Sequence, residues 1–131
     1  MRAIVYLRTA ANRTGLGMQR QHEDALKLVE QRGWTIAANY RDNNTSASGK
    51  RRRPGFAQML AQVAEGEIGA IIAWDLSTLT RNTRDRLWLI EACTAHGVII
   101  ALVRGGDIDT STPAGRFVAG ILGEATEHIA V

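Results

Sequence analysis

Only one cysteine, Cys93, stands in the 131 residues, so no internal disulfide can form. That favours a reducing compartment over secretion. Long apolar runs are also missing: none approaches the roughly 20 residues that a membrane-spanning helix needs. The run "AIVYL" near the start is too short for a signal-peptide core and is closed by Arg8. A cytoplasmic chain with no membrane partner is expected. The three histidines, His22, His96 and His128, lie far apart without metal-ligand spacing. They are expected at surface or core positions, and no metal is expected. No phosphate-cradling glycine pattern follows the first apolar run, and "TGLG" comes too late and too short for a dinucleotide fingerprint, so no cofactor is expected. There is no internal repeat, no low-complexity segment and no linker.

What is present is the composition of an ordinary soluble domain, 45% hydrophobic and 22% charged. The length fits one domain with a core that needs no staples. A net charge of +3 leans towards a polyanionic partner without deciding for one. "AIVYLR" is β-branched and apolar and reads as a central strand, "NRTGLG" as a loop. From Met18 to Arg32, Ala25, Leu28 and Val29 keep helical spacing, and Gly33 supplies a stop. "WTIAANY" reads as a second strand. The polar, basic stretch "RDNNTSASGKRRRPG" then reads as a long loop of the kind that is usually functional. Pro54 opens a helix whose apolar face is Phe56, Met59, Leu60 and Val63. "AIIAW" and "VIIALV" read as strands on either side of a helix from Arg84 to His96. "RGGDIDTSTP" is a loop with room for a short extra strand, and Thr112-Pro113 starts a last helix. That helix carries an apolar stripe of Phe117, Val118, Ile121, Leu122, Ala125 and Ile129. The alternation of strands and helices predicts an α/β fold in three layers: a mostly parallel sheet of four to five strands, helices on both faces, and a C-terminal helix.

In such a sheet, chemistry gathers at the carboxyl ends of the strands. Arg8 ends the first strand, Arg81 follows the third, and Lys50, Arg51, Arg52 and Arg53 end the long loop. An arginine fork binds two phosphate oxygens at once, so this census suits a phosphate ligand. The bland alternatives are a solvated charge run for "KRRR" and a rim carboxylate, Asp42, as the partner of Arg8. Cys93 lies mid-helix among apolar residues and reads as a packed thiol.

These residues together resemble a family: the catalytic domain of serine site-specific recombinases, the resolvase and invertase group, and most of all the N-terminal domain of the large serine integrases. "IVYLRTA" is similar to the family's opening Tyr-x-Arg-x-Ser strand, and "MQRQHEDAL" to its first helix, with Gln21 at the family glutamine. "YRDNNTSASGKRRRPGF" is similar to the loop carrying an aspartate, Ser-Gly and Arg-Pro-Gly. "AIIAWDLSTLTRN" is similar to the strand leading into Asp-Arg-Leu-Ser-Arg, and "DIDTSTPAGRF" to the start of the long helix. The five pieces stand in the family's order. The resemblance covers nearly the whole chain and implies one resolvase N-terminal catalytic-type domain over residues 1–131. No DNA-binding zinc ribbon, helix-turn-helix or coiled coil is recognised in it.

The resemblance implies DNA cleavage and rejoining. A serine attacks a backbone phosphate, a 5′-phosphoserine link forms, and arginines stabilise the charge without a metal. The match here is partial. Arg8 stands at the first active-site arginine, but the nucleophile position holds Ala10. Arg53 matches the arginine of Arg-Pro-Gly, Asp42 the loop aspartate, and Arg81 the last arginine of its motif. The family's Asp-Arg pair falls on Ser77 and Thr78. Glu127 matches a glutamate of the long helix, with His128 following it. Lys50, Arg51, Arg52 and Arg116 are expected to contact DNA phosphates.

Three losses therefore fall on one site. A methyl group cannot attack phosphorus, and losing a charged phosphate ligand costs roughly 3 kcal/mol of transition-state stabilisation by analogy with an oxyanion donor. Thr9 is a poor replacement, because one step along a strand turns the side chain to the other face. Ser77 is the better substitute hydroxyl, but no general base is evident for it. The expectation is a recombinase-fold domain of DNA recombination and integration without recombinase chemistry. It would bind DNA weakly through its arginine rim and pair with itself or an active relative through helix 113–131. The alternatives are an active strand-exchange domain using a hydroxyl such as Ser77, and a decayed mobile-element remnant. A covalent protein–DNA adduct would single out the active domain, and a concentration-dependent dimer would argue against the remnant. The family implies a bacterial or phage-encoded, nucleoid-associated protein.

Overall fold

The computed structural model describes residues 1–10, 15–44, 54–80 and 83–110, together with Thr112 and Gly115. Five strands, β1 (Arg2–Ala10), β2 (Thr35–Asn44), β3 (Ala70–Ala73), β4 (Ile99–Leu102) and β5 (Gly106–Asp109), form one sheet in the order β2-β1-β3-β4-β5. The first four run parallel, and β5 returns antiparallel to β4, so Ile100 faces Ile108 across the pair. The helices are α1 (Gly15–Arg32), α2 (Pro54–Ala64), α3 (Leu76–Leu79) and α4 (Thr83–His96).

The sheet is parallel because each right-handed crossover must carry a helix back over one of its faces. Residues alternate between those faces. Ile4 and Tyr6 of β1 join Ile71, Ile100 and Ile108 under α2 and α4, which contribute Phe56, Met59, Val63, Leu89 and Cys93. Ala3, Val5 and Leu7 join Ala70, Ile72 and Ala101 under α1, which contributes Met18, Ala25 and Val29. Central strands buried on both faces read as continuous apolar runs, which is why "AIVYL" and "AIIA" announce themselves. Helix ends are equally local. Gly33 and Gly97 have φ of 69° and 66°. In both cases the next amide returns to the last turn, Trp34 to Val29 O at 3.1 Å and Val98 to Cys93 O at 2.9 Å. Glycine takes this left-handed C-terminal position without strain.

The three-layer α/β architecture is as expected, with three corrections. The second strand does not stop at Tyr40. It continues to Asn44 because Leu7 to Ala10 keep pairing with Arg41 to Asn44, so backbone pairing overrides polar side chains. Arg41 to Asn44 of the expected long loop thus belong to β2. The first helix begins at Gly15 rather than Met18, while the short extra strand for which "RGGDIDTSTP" has room is formed as expected. Finally, a four-residue helix, α3, sits inside "WDLSTLTR", where only a rim segment was expected. The last helix lies largely outside the described residues. Its expected start is visible in the Gly115 amide, which donates to the Thr112 hydroxyl at 2.9 Å as a helix N-cap does.

Candidate active site

The strand order reverses between β1 and β3. β1 is followed on one side by β2, and β3 on the other by β4. The crevice at the carboxyl ends of β1 and β3 is the topological switch point, where open α/β sheets place ligands. Arg8 and Ala10 lie at the end of β1, and Trp74, Asp75, Ser77 and Thr78 follow β3. The structure thus brings together the sequence-predicted Arg8, Ser77 and Thr78.

Arg8 donates its Nε–H to the carbonyl of Thr78 at 2.9 Å, and a terminal N–H to the carbonyl of Ser77. These contacts tie the end of β1 to α3. Asp75 caps the other end of that helix from an extended backbone. Its Oδ1 accepts from the Ser77 hydroxyl at 2.7 Å, the Thr78 amide at 2.9 Å and the Thr78 hydroxyl at 2.9 Å. Burial pushes the Asp75 carboxyl up. The Ser77 hydroxyl, the two Thr78 donors and the charge of Arg8 outweigh that, and the group sits below its ordinary value. A carboxyl depressed on folding contributes stability above its unfolded pKa and loses the contribution as pH falls through the folded value. Asp75→Asn is therefore expected to lower Tm at pH 7, with the gap to the parent chain shrinking once the pH drops below about 4. Thermal melts at pH 7 and pH 3 check this; a gap that stays constant would show that the charge plays no part.

The Asp42 reading needs correction. As a rim carboxylate for Arg8 it was one of two expectations, but its oxygens are held elsewhere. It is buried, and its Oδ1 accepts from the Gly55 amide at 2.8 Å. Oδ2 accepts from the Phe56 amide at 2.9 Å and the Tyr6 hydroxyl at 2.6 Å. Asp42 thus caps the start of α2 and anchors it to β1. Gly55 lies so close to β2 that a Cβ there would stand 2.7 Å from the carbonyl oxygen of Arg41. Glycine is the residue that fits.

Gln21 sits on α1, and its side-chain oxygen is buried with no hydrogen-bond partner among the described residues. Ala10 closes β1, its backbone in register with Asn44. Arg53, Arg81 and Glu127, and the expected phosphate contacts Lys50, Arg51, Arg52 and Arg116, lie outside the described residues. Cys93 is buried in the core, and burial pushes its thiol up to about 12, which suits packing and not nucleophilic attack. Among the described residues no group of histidine, cysteine and carboxylate side chains is placed to hold a metal ion. No described helix is long and apolar enough to cross a membrane.

Sequence reasoning missed Asp75 and Tyr6 as parts of this rim. Asp75 carried a readable signal: an aspartate three residues before a threonine, just after an apolar strand, is the pattern of a helix N-cap. Tyr6 carried none, because its partner lies 36 residues away. Trp74 also stands at the rim, with the Arg104 guanidinium 5.8 Å from its ring centroid.

The chain matches the family model described as "Resolvase, N terminal domain" over residues 3–129. It is 30% identical over 125 residues to the DNA-invertase of Escherichia phage P1, a match covering 95% of this chain and 60% of the invertase. The DNA-invertase of Enterobacteria phage P7 matches to the same extent. The chain therefore spans about 60% of the length of these relatives. Among solved structures, the N-terminal catalytic domain of TP901-1 integrase superposes with a TM-score of 0.77 at 21% identity, over 99% of this chain and 97% of that one. A resolvase family site-specific recombinase from Streptococcus pneumoniae superposes with a TM-score of 0.79 at 20% identity, over 99% and 90%. At these identities the structural likeness establishes the fold.

Proposed function

The chain belongs to the resolvase N-terminal domain family, and from that premise we propose that it is a serine-recombinase domain that has given up strand cleavage and works through contact with another recombinase chain. One observation carries this reading. By the family resemblance the attacking oxygen belongs at Ala10, and the rim hydroxyls after β3 that could replace it, Ser77 and Thr78, are both held on one oxygen of Asp75. A nucleophilic serine needs a base that takes its proton at the moment of attack. Asp75 is within reach of Ser77, but its oxygen already accepts three hydrogen bonds and its carboxyl is held below the ordinary range. Such a carboxylate makes a good cap and a poor base.

The remaining parts of the family site support binding rather than chemistry. The basic run Lys50 to Arg53 would give a weak, salt-sensitive attraction to the DNA backbone. The apolar stripe from Phe117 to Ile129 suits pairing with a second recombinase chain, of this kind or an active one, since an apolar face of that length is rarely left in water. The test is adduct trapping. The chain is fused to the DNA-binding half of a related recombinase, supplied with that partner's site, and run on a denaturing gel. No covalent protein–DNA band is expected. A band from the unaltered chain would show that another hydroxyl attacks and would overturn the proposal.

A further inference from the structure

A helix of four residues cannot sustain itself, because one turn fixes several dihedral angles for very few internal hydrogen bonds. Yet α3 is well seated: Leu79 is fully buried and Thr78 nearly so. Beyond that burial, its stability comes from its ends. At the N-terminal end Asp75 takes the Thr78 amide and two hydroxyls. At the C-terminal end the Thr80 amide returns to Leu76 O at 3.0 Å. The carbonyls of Ser77 and Thr78 belong to that last turn, which regularly needs partners from outside the helix. Arg8 supplies both, through its Nε–H and one terminal N–H. A carboxylate at the N-terminus and a guanidinium at the C-terminus also match the helix dipole.

From this geometry we infer that Arg8 is a positioning residue in this chain, the C-terminal cap that holds α3 on the end of β1, with its Nε–H and one terminal N–H committed to peptide carbonyls and not to a phosphate. The family resemblance puts an arginine of the reaction at this place. Here the fork is aimed at two peptide oxygens. α3 is held between Arg8 and Asp75, one charge at each end, and this fixes the rim where the family's Asp-Arg pair has become Ser77-Thr78. The inference holds whether or not the chain cleaves DNA. The experiments below use no DNA, so its failure is separate from failure of the functional proposal.

The decisive variant is Arg8→Lys, which keeps the charge and loses the fork. A lysine is a single point donor and cannot serve both carbonyls in the same geometry. The expected results are a Tm lower by roughly 5 °C and faster amide hydrogen exchange at Thr78 and Thr80, by a larger factor than at Ile72 and Ile100 in the sheet. In the parent chain the Arg8 Nε–H NMR signal should be resolved and should stay in place when inorganic phosphate is added to 20 mM, at about constant ionic strength. Two results would overturn the inference. One is an Arg8→Lys chain with parental Tm and parental exchange at α3. The other is an Arg8 Nε–H signal that moves saturably with phosphate. If Arg8→Lys fails to fold, the phosphate titration of the parent chain still decides.

Discussion

Replacing Asp42 with alanine should destabilise the domain by about 2–4 kcal/mol, the largest effect expected from any single polar side chain here. The reasoning is additive and local. Asp42 is buried and accepts three hydrogen bonds, from the Gly55 and Phe56 amides and the Tyr6 hydroxyl. Its removal strips the cap from α2, typically worth about 1 kcal/mol. It also leaves a fully buried tyrosine hydroxyl without this acceptor, at about 1–3 kcal/mol. In a domain of this length that corresponds to a Tm lower by roughly 7–15 °C. Related variants should fall in order. Asp42→Asn keeps an acceptor for Gly55 but turns an amide towards two donors, so it should lie between Asp42→Ala and Tyr6→Phe. Tyr6→Phe removes one bond and leaves the α2 cap intact, at about 1 kcal/mol. Gly55→Ala should be costly as well, because its Cβ would meet backbone oxygen of β2 and not a flexible side chain. Urea or thermal unfolding of the four variants measures all of this. A Tyr6→Phe chain as unstable as Asp42→Ala would show that the carboxylate does little for α2.

The second large effect is a gain. The triple variant Ala10→Ser, Ser77→Asp, Thr78→Arg, fused as above, is expected to give the covalent DNA band that the unaltered chain does not. Under the proposal it would restore at once the attacking oxygen and the charged pair that the family resemblance assigns to these positions. The structure adds a cost that the sequence alone does not show. Ser77 and Thr78 each donate a hydroxyl to Asp75. Putting aspartate at 77 removes one donor and sets a second carboxylate beside the first. Putting arginine at 78 removes another donor from a nearly buried position. The restored chain should therefore be less stable than the parent by about 1–3 kcal/mol even as it gains activity. Adduct yield and Tm, measured on the same three single variants and the triple, separate the two. Ala10→Ser alone should be nearly neutral in Tm. An adduct from Ala10→Ser alone would mean that the lost Asp-Arg pair was dispensable; none from the triple would mean that the rim has moved too far to be restored.

Much of this molecule is written in short range. The apolar runs at Ala3–Leu7 and Ala70–Ala73 show central strands because burial on both faces leaves no room for polar alternation. Gly33 and Gly97 mark helix ends because a left-handed turn there favours glycine. Arg8, Ala10, Ser77 and Thr78 can be singled out as the expected site, since a family motif is a pattern of residue types along the chain. Pairing decided the rest. β2 runs through Asn44 because β1 lies alongside to bond it, and no local signal in "RDNN" says so. Asp42, readable as a rim charge, is a helix anchor because folding brings Tyr6 and the start of α2 to it from 36 and 13 residues away. Arg8 and Ser77 are 69 residues apart, and only their meeting across the sheet turns a phosphate-type arginine towards peptide carbonyls. Residue types determine which chemistry is available. Which group each charge meets is settled by packing, because a buried donor or acceptor must be satisfied by whatever the fold places within about 3 Å.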